Sequence, residues 1–229
     1  MDGQFLPHIQ AALADSADAG RAASMRAYMR GQFDFLGVPT PARRAATRAP
    51  LSALKGAGAD ALLEHACALW QLPQREYQYL ALDLLAMHWK ELDASHLPAL
   101  LALAQRRAWW DSVDGVAAIV GDLLRREKTH GRDAHGSMDA ALGHADLWVR
   151  RIAMTHQLGW RGDTDAARLF AYALALAPET EFFIQKALGW GLRDYAWHDP
   201  AAVRGFLAAS GERLAPLSRR EAGKHLSLP

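Results

Sequence analysis

Four segments of the chain open on the same local pattern, a bulky and mostly aromatic residue at the head of a long amphipathic stretch. They are Glu76-Tyr77, Trp109-Trp110, Leu147-Trp148 and Phe182-Phe183. Taking the second residue of each, the gaps are 33, 38 and 35 residues. Recurrence at this period, with two helices per unit, is the mark of an α-solenoid, in which each repeat buries its apolar face only against its neighbours. A plain bundle of evenly long helices would share the spacing. The repeated openings favour the solenoid.

Local patterning agrees. Ala and Leu are abundant, β-branched residues are few, and apolar residues recur at i, i+3, i+4 and i+7. Gly and Pro punctuate predicted helices at 4–15, 20–35, 41–53, 58–70, 74–89, 95–106, 109–125, 137–143, 146–158, 164–176, 180–196, 199–209 and 217–226. Strand alternation is missing, so the expected fold is all-α: residues 1–229 form one domain of HEAT-like helical repeats, curved, with a concave face. With 51% hydrophobic and 22% charged residues the chain is neither disordered nor collagen-like. Its one cysteine, Cys67, excludes an internal disulfide and a Cys-rich zinc site, and is expected as a small buried hydrophobe in a helix. No apolar run approaches the ~18 residues of a membrane helix. Met1-Asp2-Gly3 lacks the basic start of a signal peptide, so a cytoplasmic protein is expected.

Familiar catalytic signatures are missing. The chain has no GxSxG elbow, no GxxxxGK[ST] loop, no HExxH, and no GxGxxG after a strand; Gly189-Trp190-Gly191 lies inside a predicted helix. The most polar break, Lys128 to Asp133, reads as a hinge. His130, His135 and His144, in the His-rich stretch 129–144, match no zinc spacing and are expected as solvated loop residues. We expect no metal and no cofactor.

What stands out is Trp109-Trp110-Asp111-Ser112-Val113-Asp114. Trp110 and Asp114 are four apart and share a helix face. With the aligned openings as a common zero and 100° per residue, Trp110, Asp114, Arg151 and Trp190 fall within an arc of about 100° on equivalent helices. Lys186, four before Trp190, lies on the same side. Two indoles, one carboxylate and one guanidinium would then line one groove. The plainer alternative is core tryptophans and an interhelical ion pair between Asp114 and Arg151. Against it, a carboxylate among Val113, Val116, Ala117 and Ala118 is costly to desolvate without a purpose.

The formal net charge is +1, but it is unevenly spread. Residues 21–50 carry six arginines, Arg43 and Arg44 among them, against Asp34 alone. The C-terminal stretch adds Arg213, Arg219, Arg220 and Lys224 against Glu212 and Glu221. Two basic ends suit a phosphate-binding surface, though solvated arginines would look the same.

Several of these pieces, in order along nearly the whole chain, resemble the alkylpurine DNA glycosylases of the AlkD type, a HEAT-like repeat family of DNA alkylation repair proteins. They are Ala27-Tyr28-Met29, Phe35-Leu36-Gly37 with Thr40-Pro41 and Arg43-Arg44, Leu72 to Glu76, Trp109 to Asp114, Leu147-Trp148 with Arg151-Ile152-Ala153, Phe182 to Ala187 with Gly189-Trp190, and Leu214 to Ser218 with Arg220-Glu221-Ala222. The strings WWDSVD and FFIQKA are the most specific.

The resemblance implies excision of N3- and N7-alkylated purines from double-stranded DNA bound on the concave face. It places the catalytic groups at Asp114, Trp110 and Trp190 and phosphate contacts at Tyr28 and Arg151. The basic ends, through Arg43, Arg44, Arg219, Arg220 and Lys224, are expected to hold further phosphates, with Lys186 a phosphate or packing residue and the enzyme monofunctional. A monomer associated with the nucleoid when on DNA is expected. Arg150, beside Arg151, reads as solvated; which of the two meets phosphate stays open. The His-rich stretch 129–144 departs from the family pattern. A non-catalytic DNA-binding or scaffold module with the same repeats is the alternative.

Overall fold

The computed structural model describes residues 3–226. Thirteen α-helices lie among them: α1 (Phe5–Ala14), α2 (Ala19–Tyr28), α3 (Thr40–Ser52), α4 (Ala59–Gln71), α5 (Arg75–Met87), α6 (Leu97–Ala104), α7 (Trp110–Thr129), α8 (Gly136–Ala141), α9 (Leu147–Thr155), α10 (Ala166–Leu176), α11 (Phe182–Ala196), α12 (Pro200–Ser210) and α13 (Pro216–Ala222). No strand occurs among the described residues; Asp34 and Gln74 form one isolated bridge. The fold is all-α, consistent with an α-solenoid of helical repeats. Among the described residues no helix is long and apolar enough to cross a membrane.

The chain divides between Ala99 and Leu100 into two compact units. In the first, α3 packs between α1 and α5, and α4 lies along α5. In the second, α9 lies between α7 and α11, and α13 packs on α11. There α8 packs on α9, α10 on α9 and α11, and α12 on α11. Contacts thus run to neighbours in chain order, as in a repeat array. The second helix of each pair, from α7 through α9 and α11 to α13, stands in a row.

Three rings lock one end of that row. Trp109 lies 5.8 Å from Trp148 and 5.0 Å from Phe183, and Trp148 lies 4.9 Å from Phe183. Such pairs contribute about 0.5–1.5 kcal/mol each beyond the area they bury. The sequence alignment set Trp110 against Trp148 and Phe183, but the ring that joins them belongs to Trp109. Its backbone is extended (φ −159°) just ahead of α7, so it leaves the helix cylinder and reaches its neighbours.

Two glycines set how closely the row packs. A Cβ at Gly121 would fall 2.1 Å from the His156 carbonyl oxygen, so α7 meets the end of α9 backbone to side. A Cβ at Gly189 would fall 2.3 Å from Glu221 Cβ and 3.0 Å from the Ser218 carbonyl oxygen. Ser218 Oγ also donates to the Gln185 carbonyl at 2.9 Å, which fastens α13 onto α11.

Several expectations are corrected. The helix predicted over 20–35 stops at Tyr28, because Arg30 and Gly31 take left-handed φ of 53° and 72°. The chain that follows serves α5: buried Glu76 accepts from the backbone N–H groups of Leu36, Gly37 and Val38 at 3.0, 2.9 and 3.1 Å. Three hydrogen bonds to one carboxylate outweigh another helical turn. Helix α7 continues to Thr129, into the stretch read as a hinge, where Glu127 holds Arg132. Cys67 is only half-buried in α4.

His130 and His144 are exposed, but His135 is buried, with its ring 5.8 Å from His156 and 6.1 Å from Trp160. Burial holds His156 at about 4 instead of 6.5, despite the hydrogen bond from its Nδ1 to the Ala153 carbonyl at 2.7 Å. Between those values the unfolded chain binds a proton that the folded one refuses, so stability falls as pH drops from 6.5 towards 4. The loss should total roughly 3 kcal/mol. Urea unfolding across this range should show it, and His156→Gln should flatten the slope; an unchanged slope would assign the titration to another group. Gly121→Ala should cost about 1–3 kcal/mol by overpacking, and a midpoint matching wild type would show that α7 and α9 can separate freely.

Candidate active site

Helices α7, α9 and α11 bring Asp114, Arg151 and Trp190 together. Asp114 sits one turn into α7, and α9 presents Arg151 to it. Arg151 Nε and Nη2 donate to Asp114 Oδ1 and Oδ2 at 2.8 and 2.9 Å, a bidentate pair. The third corner of the guanidinium, Nη1, donates to the Phe183 carbonyl at the head of α11, at 2.6 Å. Its carbon lies 5.1 Å from the centre of the Trp190 ring. One side chain from α9 therefore ties α7 to α11. It can do so because α9 begins sharply, with the Asp146 side chain accepting from Trp148 N at 2.7 Å.

The two partners differ in exposure. Arg151 keeps 1% of its side-chain surface in contact with solvent and Asp114 keeps 24%. The carboxylate is thus held by a buried partner while part of its own side chain stays in solvent. Burial pushes its pKa up from 3.8 against the pull of Arg151, and the nearby Asp111 charge adds to the rise. Trp110 is half-buried one turn before Asp114 on α7. Lys186 places its ammonium 5.7 Å from the Trp190 ring and 3.0 Å from Glu221 of α13.

Glu221 is a hub. Lys186, Arg193 and Lys224 reach it at 3.0, 3.0 and 2.8 Å. Burial alone would raise its pKa, but the bonds from Lys224 and Lys186 outweigh this and hold it down at about 2. Three cations on one acid leave a positive surplus beside Trp190.

The expected phosphate contacts divide sharply. Tyr28 is 72% exposed, and Arg220 and Lys224 are exposed. Arg44 is largely exposed, with Nε on Asp83 Oδ1 at 3.0 Å. Arg43 and Arg151 are buried and paired. Arg43 is 4% exposed, with Nε and Nη2 on Asp83 Oδ2 at 3.2 and 3.1 Å, and Arg151 is spent on Asp114. A guanidinium so enclosed fixes the position of its carboxylate partner. Arg150 is not solvated: it pairs with Glu179 at 2.5 and 2.9 Å and caps the His144 and Ala145 carbonyls. Neither member of the Arg150-Arg151 pair faces outward. Arg219 is half-buried, its Nη1 on the Leu207 and Gly211 carbonyls at 3.0 and 2.5 Å.

Sequence reasoning missed the gathering roles of Asp83 and Glu221, because their partners Arg43, Arg44, Lys186 and Arg193 lie 28 to 40 residues away. It also missed the Phe183 carbonyl, a backbone group with no sequence signal. Among the described residues no group of three or more His, Cys, Asp or Glu side chains is placed to hold a metal ion.

A solved structure from Enterococcus faecalis, described as a predicted DNA alkylation repair enzyme, superposes with a TM-score of 0.83 at 31% identity, covering 93% of this chain and 97% of that one. No curated protein matches. The family model for DNA alkylation repair enzymes matches residues 9–226, and the chain belongs to that family.

Removing Arg151 leaves the Asp114 charge half-buried and uncompensated. Arg151→Ala should therefore destabilise the protein by about 3–5 kcal/mol in a denaturant titration, and adding Asp114→Asn to it should recover part of the loss. Additive effects would mean that the two groups do not interact.

Proposed function

We propose that this protein is a monofunctional DNA glycosylase that hydrolyses the N-glycosidic bond of N3- and N7-alkylated purines in duplex DNA. The observation that carries this reading is Asp114: a carboxylate gripped by a buried arginine and still partly exposed, one turn after Trp110 on α7 and joined through Arg151 to Trp190. Membership of a DNA alkylation repair family supports the substrate class.

The chemistry needs no more than one acid. Alkylation at N3 or N7 leaves the purine positively charged, so it departs as a neutral base without protonation. The barrier is the positive charge that grows on the sugar C1′, as in other glycoside cleavages. Asp114 stabilises that charge and accepts a proton from the attacking water. Arg151 fixes the carboxylate in advance, so little reorganisation is paid at the moment of reaction.

The indoles act on the lesion nucleotide, with one adjustment. Cation–π attraction is worth about 0.5–2 kcal/mol, but the Trp190 ring already carries Arg151 and Lys186 within 6 Å. Trp190 therefore serves as a wall of the site as much as a receptor for charge. Exposed Tyr28, Arg44, Arg220 and Lys224 hold phosphates, giving affinity that falls with salt. Lys186, committed to Glu221 at 3.0 Å, is no free amine for Schiff-base chemistry, in keeping with hydrolysis without strand cleavage.

Wild type should release 7-methylguanine from methylated duplex, and Asp114→Asn should slow release about a hundredfold or more. Equal rates would reduce Asp114–Arg151 to a structural ion pair; no release by wild type would favour a binding module. Because the Asp114 pKa is raised, excision should begin to fail on acidification above the ordinary aspartate range, the neutral acid being unable to stabilise a cation. A rate profile flat down to the ordinary aspartate pKa would contradict this.

A further inference from the structure

The charge cluster on α13 stands next to the site and takes no part in the reaction described above. Lys186 and Arg193 lie on α11, one turn before and one turn after Trp190, so both share its side of the helix. One carboxylate holds the two of them: Glu221 Oε1 meets Lys186 Nζ at 3.0 Å, and Oε2 meets Arg193 Nη1 at 3.0 Å. Lys224, three residues on, brings a third cation to Oε2 at 2.8 Å. The Lys186 ammonium is at the same time 5.7 Å from the centre of the Trp190 ring, and the Arg151 guanidinium is 5.1 Å from it. From α7 to α13 the order is acid, cation, indole, cation, acid: Asp114, Arg151, Trp190, Lys186, Glu221.

Docking of α13 does not explain the second acid. Gly189 has no Cβ to meet Glu221, Ser218 Oγ bonds the Gln185 carbonyl, and Leu214 and Ala222 are buried. A glutamine at 221 would keep all of these contacts. What only the carboxylate supplies is charge. With its pKa held at about 2, Glu221 is ionised whenever the protein is folded and at work.

The use for that charge lies on the far side of Trp190. Asp114 is paired with Arg151 of α9, and Asp111 on its own helix adds a like charge. Positive charge growing at the sugar C1′ gains from the Asp114 carboxylate and loses to every uncompensated cation nearby. Lys186 carries its charge on a flexible four-carbon stem, beside the same ring that Arg151 touches. Without Glu221 that charge would act on the site unopposed.

We propose that Glu221 is an electrostatic positioning residue of the active site: by holding Lys186 and Arg193 against α13, it keeps the cations that flank Trp190 from neutralising Asp114 and from opposing the charge at C1′. The inference rests on the glycosylase reading above and deepens it. It gives α13, which supplies none of the reacting groups, a part in the reaction.

Glu221→Gln keeps the shape and one accepting oxygen and frees the cations. Single-turnover release of 7-methylguanine should slow about tenfold, the order that one added charge exerts across a site. Affinity for unmodified duplex should stay equal or rise, because the protein has gained positive charge. Adding Lys186→Met removes the freed charge, keeps most of the stem, and should restore most of the rate. A Glu221 that only held the fold together would lower rate and affinity in step, and the second substitution would not help.

The protein without DNA supplies an independent readout, a carbon-13 NMR titration of the Asp114 carboxyl, whose signal is identified by its loss in Asp114→Asn. The freed cation should lower the Asp114 pKa in Glu221→Gln, and Lys186→Met should bring it back. An unmoved pKa, or a slowed rate that Lys186→Met leaves as it is, would overturn the proposal. A shifted pKa with no release of 7-methylguanine by wild type would remove the glycosylase and leave Glu221 its hold on the charge at Asp114. Release with no shift would do the reverse.

Discussion

A buried arginine must be paid for with hydrogen bonds, and in this protein that requirement organises the site. Arg151 gives two N–H groups to Asp114, one to the Phe183 carbonyl and its face to Trp190. Desolvating a guanidinium is expensive, and only this geometry compensates it. The same bonds join α7, α9 and α11, so the demands of folding and of placing a carboxylate are met by one side chain. The asymmetry of the pair gives it a use. The arginine is sealed and the acid is not, which leaves a carboxylate partly in solvent and held at both oxygens.

The motif recurs with different residues. In the first unit Asp83 gathers Arg43 and Arg44, from α5 to α3. In the second, Glu221 gathers Lys186, Arg193 and Lys224, from α13 to α11. Stacked second helices bring such positions into register every repeat, and a charge on one helix finds its partner on the next. At α7–α9 the cation is almost wholly buried, at 1%, and the acid keeps 24% of its side-chain surface in solvent. Asp83 and Glu221 sit deeper, at 14% and 5% side-chain exposure, and each gathers more than one cation. Asp114 is the most exposed of the three acids.

Much of this was legible in the sequence. The helical period predicted an all-α chain, and the aligned openings put Asp114, Arg151 and Trp190 on one side of adjacent helices, where they meet. The alignment erred by one residue at Trp109, because an extended residue ahead of a helix obeys no 100° rule. Helix α2 ended early because a carboxylate 40 residues later, Glu76, claims the backbone of Leu36 to Val38. Arg43 and Arg150 looked like surface charges since composition says nothing about which acids a fold brings near. The glycines around Trp190 were read as a failed nucleotide motif; Gly189 instead makes room for α13, and Gly191 lies against Met154 of α9. Side-chain class was visible in the sequence, and direction was not.

The proposed reaction depends on one electrostatic interaction, that of Asp114 with the positive charge growing at the sugar C1′. Duplexes carrying a cationic pyrrolidine in place of one deoxyribose, or a neutral tetrahydrofuran of the same shape, isolate that charge. Wild type should bind the pyrrolidine duplex more tightly than the tetrahydrofuran duplex, as a transition-state mimic requires, and Asp114→Asn should abolish the difference. Equal affinity of wild type for the two, or a preference that survives in Asp114→Asn, would contradict it.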